Sequence, residues 1–150
     1  MADIAAYGGL FLAALLAATI LPMQSEAVLV GLILADRQPL AMLLLVASLG
    51  NVLGSVVNYA LGRAVERFAD RRWFPASPAA LERARASYAR WGYWSLLLSW
   101  VPVIGDPLTV IAGMLREKAW RFLLLVTVAK VGRYLVLAWA VQGWAVQSWG

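Results

Sequence analysis

The chain is 150 residues long, 63% hydrophobic and 14% charged, with 8 Trp and a mean hydropathy of +0.74, a composition outside that of ordinary soluble domains. It contains neither Cys nor His, which removes disulfides, thiolate nucleophiles, imidazole bases and the usual zinc or haem ligands, so no metal and no cofactor is expected. The net charge of +5 sits mostly in one segment between apolar runs, a pattern of a membrane surface and not of nucleic-acid binding. A single all-α integral membrane domain over 1–150 is expected, stabilised by helix packing in lipid.

In chain order, the first apolar run, 4–21, is preceded by Asp3 where a secretory signal would carry Lys or Arg, so it is expected to stay in the protein. Run 26–35 follows the break at Pro22; as helix it reaches only about 15 Å, half of a ~30 Å hydrocarbon core. Run 40–61 is long enough to cross. It carries Ser48, Asn51, Ser55 and Asn58 at helical intervals beside Gly50, Gly54 and Gly62. Such a slim polar face serves either close helix packing with hydrogen-bonding glue or a groove for a sliding headgroup.

Residues 63–92 form a basic connection. In "ASPAALERARASYARWG", Ser77 is an N-cap, Pro78 suits the first helical position and Gly92 closes the helix. Leu81, Ala84, Tyr88 and Trp91 make an apolar stripe beside Arg83, Arg85 and Arg90; the helix lies on the bilayer surface or is a solvated linker. Runs 93–101 and 107–115 are again short, broken at Pro102, Gly105 and Pro107 around Asp106. The last run, 122–142, can cross, and it places Lys130, Arg133 and Thr127 on one side. Trp139, Trp144 and Trp149 suit an interfacial anchor or a homo-oligomer contact.

Short apolar helices meeting at Pro and Gly, without a polar loop to reach water, suggest re-entrant hairpins. Pro22 and Glu26 match Pro102 and Asp106 at one interval of 80 residues. The chain therefore reads as two copies of hairpin plus spanning helix, about 4–62 and 93–142. Residues 63–92 and 116–121 hold most of the cations, against Arg37 alone at 36–39; by the positive-inside rule the basic side is cytoplasmic. The hairpins then enter from opposite faces, as inverted repeats, and their acids approach one another near the midplane. A first limb that crosses fully is the alternative.

Carboxylates at bilayer depth cost about 2.5–3.5 kcal/mol on insertion scales and are kept for use, so Glu26 and Asp106 read as sites of proton exchange. The competing reading makes them helix caps. Lys130 and Arg133 require anions: either these acids or a visiting phosphate held by the Arg133 fork. Lys130 has a further option, snorkelling to the basic end.

Together, "GNVLGSVVNYALGR" (50–63), "SEAVLVGLILA" (25–35) and "SWVPVIGDPLTVIAGM" (99–114) resemble the DedA family, also called the SNARE-associated Golgi or VTT-domain group, in its short YqaA-like branch. The resemblance covers nearly the whole chain. It implies facing re-entrant hairpins in a bacterial inner membrane and movement of phospholipids or polyprenyl phosphates between leaflets, linked to the proton-motive force. It assigns Glu26 to the family's membrane-embedded acid and Tyr59, Gly62 and Arg63 to the end of its first span. Ser99 and Gly105 stand where many members carry Arg, and Ser55 where many carry Asp.

The expected function is thus a lipid translocase, flippase or scramblase, acting on lipids with a phosphorylated or otherwise anionic headgroup. Glu26, Asp106, Arg133, Lys130, Asn51, Asn58 and Arg63 line its path. The alternatives are a proton-coupled transporter of a small solute, or a membrane scaffold. No enzyme is expected, for want of a nucleophile and base.

Overall fold

The computed structural model describes residues 2–19, 24–64, 78–101 and 104–149; Pro22, Ser77, Pro102 and the cations at 67, 71 and 72 lie outside them. The described residues form helices and no strands: α1 (Ala2–Thr19), α2 (Gln24–Ala35), α3 (Leu40–Arg63), α4 (Pro78–Trp91), a 3₁₀ segment (Gly92–Trp100), α5 (Gly105–Met114) and α6 (Ala119–Trp149). Only α3 and α6 are long and apolar enough to cross a membrane. At 12 and 10 residues, α2 and α5 reach about 18 and 15 Å. With 18 residues, α1 is longer than a half-depth limb requires and spans about 27 Å.

The α2 and α5 ends are built alike. Asp36 (φ 48°) and Arg116 (φ 53°) both adopt the left-handed conformation. The Asp36 amide donates to the Ile33 carbonyl at 3.2 Å, and the Arg116 amide to the Gly113 carbonyl at 3.0 Å. Both pairs are separated by the same interval of 80 residues that relates Glu26 to Asp106. At the start of the chain, Gln38 donates to Asp3 at 3.1 Å, which places the α2–α3 turn beside the first turn of α1.

Two apolar clusters form. Leu10, Leu29, Leu43 and Ala47 gather around Tyr134, so α1 and α2 pack on the first half of α3. Tyr59, Ala84, Leu96, Leu108, Ile111 and Phe122 form the other, so α4, the 3₁₀ segment and α5 pack on the end of α3 and the start of α6. The Tyr59 and Phe122 rings stack at 4.4 Å.

Backbones approach closely where the small residues lie. A Cβ at Gly50 would sit 2.6 Å from the Phe11 carbonyl oxygen, and one at Gly54 2.7 Å from that of Leu15, so α1 lies directly on α3. Gly62 and Gly113 likewise face one another's helices, each with no space for a methyl group.

Pro78 starts α4 and Gly92, at φ 60°, ends it, as the spacing predicts. Of the apolar stripe, Ala84 and Tyr88 are buried against α5, while Trp91 is exposed; the Leu81 side chain is not described. A hub at Glu117 ties this end together. Its carboxylate accepts from the Tyr88 hydroxyl at 2.6 Å and lies 3.9 Å from Arg121, and its carbonyl accepts a short hydrogen bond from the Tyr59 hydroxyl. Burial first, and then the Glu117 carboxylate, push the Tyr88 hydroxyl well up from its usual range. It therefore remains a donor at neutral pH.

Candidate functional site

Lys130 and Arg133 lie 11 and 14 residues beyond the start of α6, about 17 and 21 Å along its axis. That is the depth of a bilayer interior. Each meets one of the two acids. Lys130 Nζ donates to Asp106 Oδ1 at 2.9 Å, and Arg133 forms a close ion pair with Glu26. The acids occupy the first turns of α5 and α2, so the N-terminal ends of both short helices converge on one turn of α6.

The acids thus bind separate cations and do not pair with each other. The N-cap residue of α5, Ile104, makes no side-chain cap, and Lys130, 2% exposed, does not snorkel. The four formal charges cancel in pairs, while each helix N-terminus contributes roughly half a positive charge. The centre is therefore net positive in partial charge, an environment suited to an anion.

Sequence reasoning missed a third group. The Tyr134 hydroxyl accepts from Asn51 Nδ2 at 2.9 Å and shares a hydrogen bond with Ser25 Oγ at 3.1 Å. It links α2, α3 and α6 beside the Glu26–Arg133 pair. Its signal was adjacency: Ser25 precedes Glu26 and Tyr134 follows Arg133, but an aromatic residue in an apolar run reads as core. Tyr134→Phe is expected to lower the unfolding free energy by about 1–2 kcal/mol, since two buried polar groups lose their partner; denaturant titration in detergent checks this.

The remaining candidates fall elsewhere. Asn51 and Asn58 are buried with Ser48 and Ser55; Asn58 Nδ2 donates to the Ala18 carbonyl at 2.6 Å, and Ser55 to that of Asn51. Asn51 and Asn58 each tie α3 to a neighbouring helix, α6 and α1 respectively. Arg63 is exposed at the end of α3, over the Tyr59 ring at 5.9 Å, outside the charged centre. Gly105 and Pro107 are buried in the first turn of α5. A Cβ at Gly105 would collide with the Ser99 carbonyl, so an arginine at 105 would require this turn to open.

A groove of about 560 Å³ adjoins the centre, lined by Glu26, Arg133, Trp100, Ala129, Gly132 and the apolar side chains Val128, Val136 and Leu137. Trp100, Val128 and Val136 are each at least half exposed. The groove is consequently open on the outer flank of α6. Glu26 and Arg133 border the groove, whereas Lys130 is buried and the Asp106 side chain, 20% exposed, lies outside its lining. No cluster of acids that could hold a metal occurs among the described residues.

The described residues are helical, two helices are long and apolar enough to cross a bilayer, and paired charges lie partway along one of them, features of the membrane-protein class. Comparison with known proteins makes the class specific. The VTT-domain profile matches residues 21–143, and the chain belongs to this family, the DedA family. It is 38% identical over 135 residues to "Inner membrane protein YqaA" of Escherichia coli (strain K12), covering 89% of this chain and 90% of the relative. The protein of the same name from Shigella flexneri matches to the same extent. An uncharacterized protein of Haemophilus influenzae is 34% identical, over 85% of this chain and 82% of its own. No solved structure gives a significant match.

Proposed function

We propose that the protein is an inner-membrane lipid translocase, a flippase or scramblase of lipids with a phosphorylated headgroup. The observation that carries this reading is the groove on the flank of α6, with the Glu26–Arg133 pair on its wall and apolar side chains at its open edge. A headgroup phosphate replaces Glu26 on the Arg133 fork. The acyl or prenyl tail stays in the surrounding lipid, along Val128, Val136 and Trp100. Glu26, released, takes up a proton from one side of the membrane; on giving it up to the other side, the carboxylate returns to Arg133 and expels the headgroup. That exchange of partners links lipid movement to protons. A small solute would require an enclosed cavity, and the sideways opening favours lipid over it.

In this reading the α1–α2 hairpin with α3, and the hairpin of the 3₁₀ segment and α5 with α6, are inverted repeats, and the first turns of α2 and α5 meet at α6. The matched turns at Asp36 and Arg116, the short α2 and α5, and the convergence of their first turns on Lys130 and Arg133 support it. The basic connection at 63–92 faces the cytoplasm. The exposed Trp139 and Trp144 anchor the far end of α6 at the other interface.

Gly132 provides a direct test, because no atom lies within 4 Å of a Cβ built there. Gly132→Leu is expected to fill the groove and slow leaflet exchange of labelled phospholipid in liposomes by about tenfold, roughly 1.4 kcal/mol of barrier, with an unchanged melting temperature. Unchanged exchange in the folded variant would place the lipid path elsewhere.

A further inference from the structure

A second groove, of about 630 Å³, lies between α4 and α5 at the basic end of the bundle. Ile111 and Met114 of α5 and the Leu115 that follows it supply its apolar wall; Arg85 and Ala89 of α4, with Gly92 just beyond it, supply the opposite one. It shares no residue with the groove beside Glu26. Leu115 is 58% exposed, so the apolar wall continues onto the open surface.

Two observations point to what covers it. The first is depth: Trp91, Trp94 and Trp120 are exposed around this end, with the Arg90 guanidinium over Trp91 at 5.5 Å and that of Arg121 over Trp120 at 5.3 Å and Tyr93 at 4.9 Å. Tryptophan and arginine in such a belt sit at headgroup level. The second is charge. The exposed face of α4 bears Arg83, Arg85 and Arg90 against Glu82 alone. Arg85 touches Glu82 only at 3.8 Å, with both side chains more than half exposed, a contact that a phosphate readily displaces.

We infer that the α4–α5 groove holds an anionic phospholipid of the leaflet at the basic end, its phosphate on Arg85 and an acyl chain along Ile111, Met114 and Leu115. This lipid is a resident of the fold and not the cargo, and the inference depends on no step of translocation. It makes α4 sensitive to the composition of the membrane. Through Tyr88, whose hydroxyl is bonded to Glu117, the occupied groove adjoins the hub that joins α3, α4 and α6.

Binding of fluorescent phosphatidylglycerol and phosphatidylcholine to the purified full chain in neutral detergent tests this without any transport readout. Phosphatidylglycerol is expected to bind more tightly, and Arg85→Glu to weaken it by about fivefold or more. Arg83→Glu, which changes the same charge outside the groove lining, should weaken it much less. Ala89→Trp fills the groove from an exposed position and should weaken both lipids with charge unchanged. Equal affinity for the two lipids, equal losses in Arg85→Glu and Arg83→Glu, or unimpaired binding in Ala89→Trp would each overturn the site. So would displacement of the lipid by glycerol phosphate at matched concentration, which would reduce the site to a phosphate contact. Leaflet exchange by the wild type stands or falls independently of these results.

Discussion

Asp106→Ala is expected to cost about 3–5 kcal/mol of unfolding free energy, because it leaves Lys130 without its partner at 2% exposure. The double variant Asp106→Leu with Lys130→Met should recover most of that loss, since well-packed apolar residues replace a buried ion pair at little or no net cost. Denaturant titration in detergent measures both. Glu26→Gln behaves differently: Glu26 and Arg133 border an open groove at 23% and 13% exposure, and the amide can still accept a hydrogen bond. Its cost should be about 1–2 kcal/mol, the difference between a hydrogen bond to a charged acceptor and one to a neutral acceptor. The loss for Asp106→Ala should exceed that for Glu26→Gln, because Lys130 loses its acceptor outright and Arg133 keeps one.

The second large effect lies at the crossing of α3 and α5. A methyl group at Gly113 would meet the Tyr59 carbonyl, and one at Gly62 the Val110 carbonyl, both inside contact distance. The obstructing atoms are backbone, so no rotamer change relieves them; the helices must separate. Gly113→Ala is expected to lower the unfolding free energy by about 3 kcal/mol, the upper end of overpacking costs. Gly132→Ala, with open space at its Cβ, should be neutral or slightly stabilising, as glycine is a poor helix residue. Melting temperatures of the two variants in one detergent give the comparison directly.

These differences trace what a sequence can carry. The element order, the two long helices, the short helices opening on acids and the α4 boundaries at Pro78 and Gly92 were legible, because length, apolar periodicity and capping are local properties. The site was legible in part: acids and cations in apolar runs were identified by their cost, and all four meet. How they pair was not, because the choice between Glu26–Arg133 and any other arrangement depends on helix packing angles that no spacing encodes. Asn51 and Asn58 show the same limit. Their periodicity fits both a lipid groove and a buried seam, and no spacing encodes their bonds to Tyr134 and to the Ala18 carbonyl. The 3₁₀ segment Gly92–Trp100 falls where an apolar run predicts a regular limb; its Ser95 bonds back to the Gly92 carbonyl at 2.8 Å, a local competitor to helical pairing. Glu117, an acid among the cations of 116–121, links three helices through contacts that no local pattern encodes.

The most direct test of lipid translocation is leaflet exchange of labelled phospholipid and polyprenyl phosphate in liposomes containing the purified protein, with wild type and Glu26→Gln compared at two pH values. The account predicts exchange of at least one of these lipids by the wild type, varying with pH, and a fall of about tenfold or more in Glu26→Gln, with most of the pH response lost because Arg133 and Tyr134 then face a side chain that cannot titrate. Equal exchange by the two proteins at both pH values, or none from wild type shown to be folded, would contradict it.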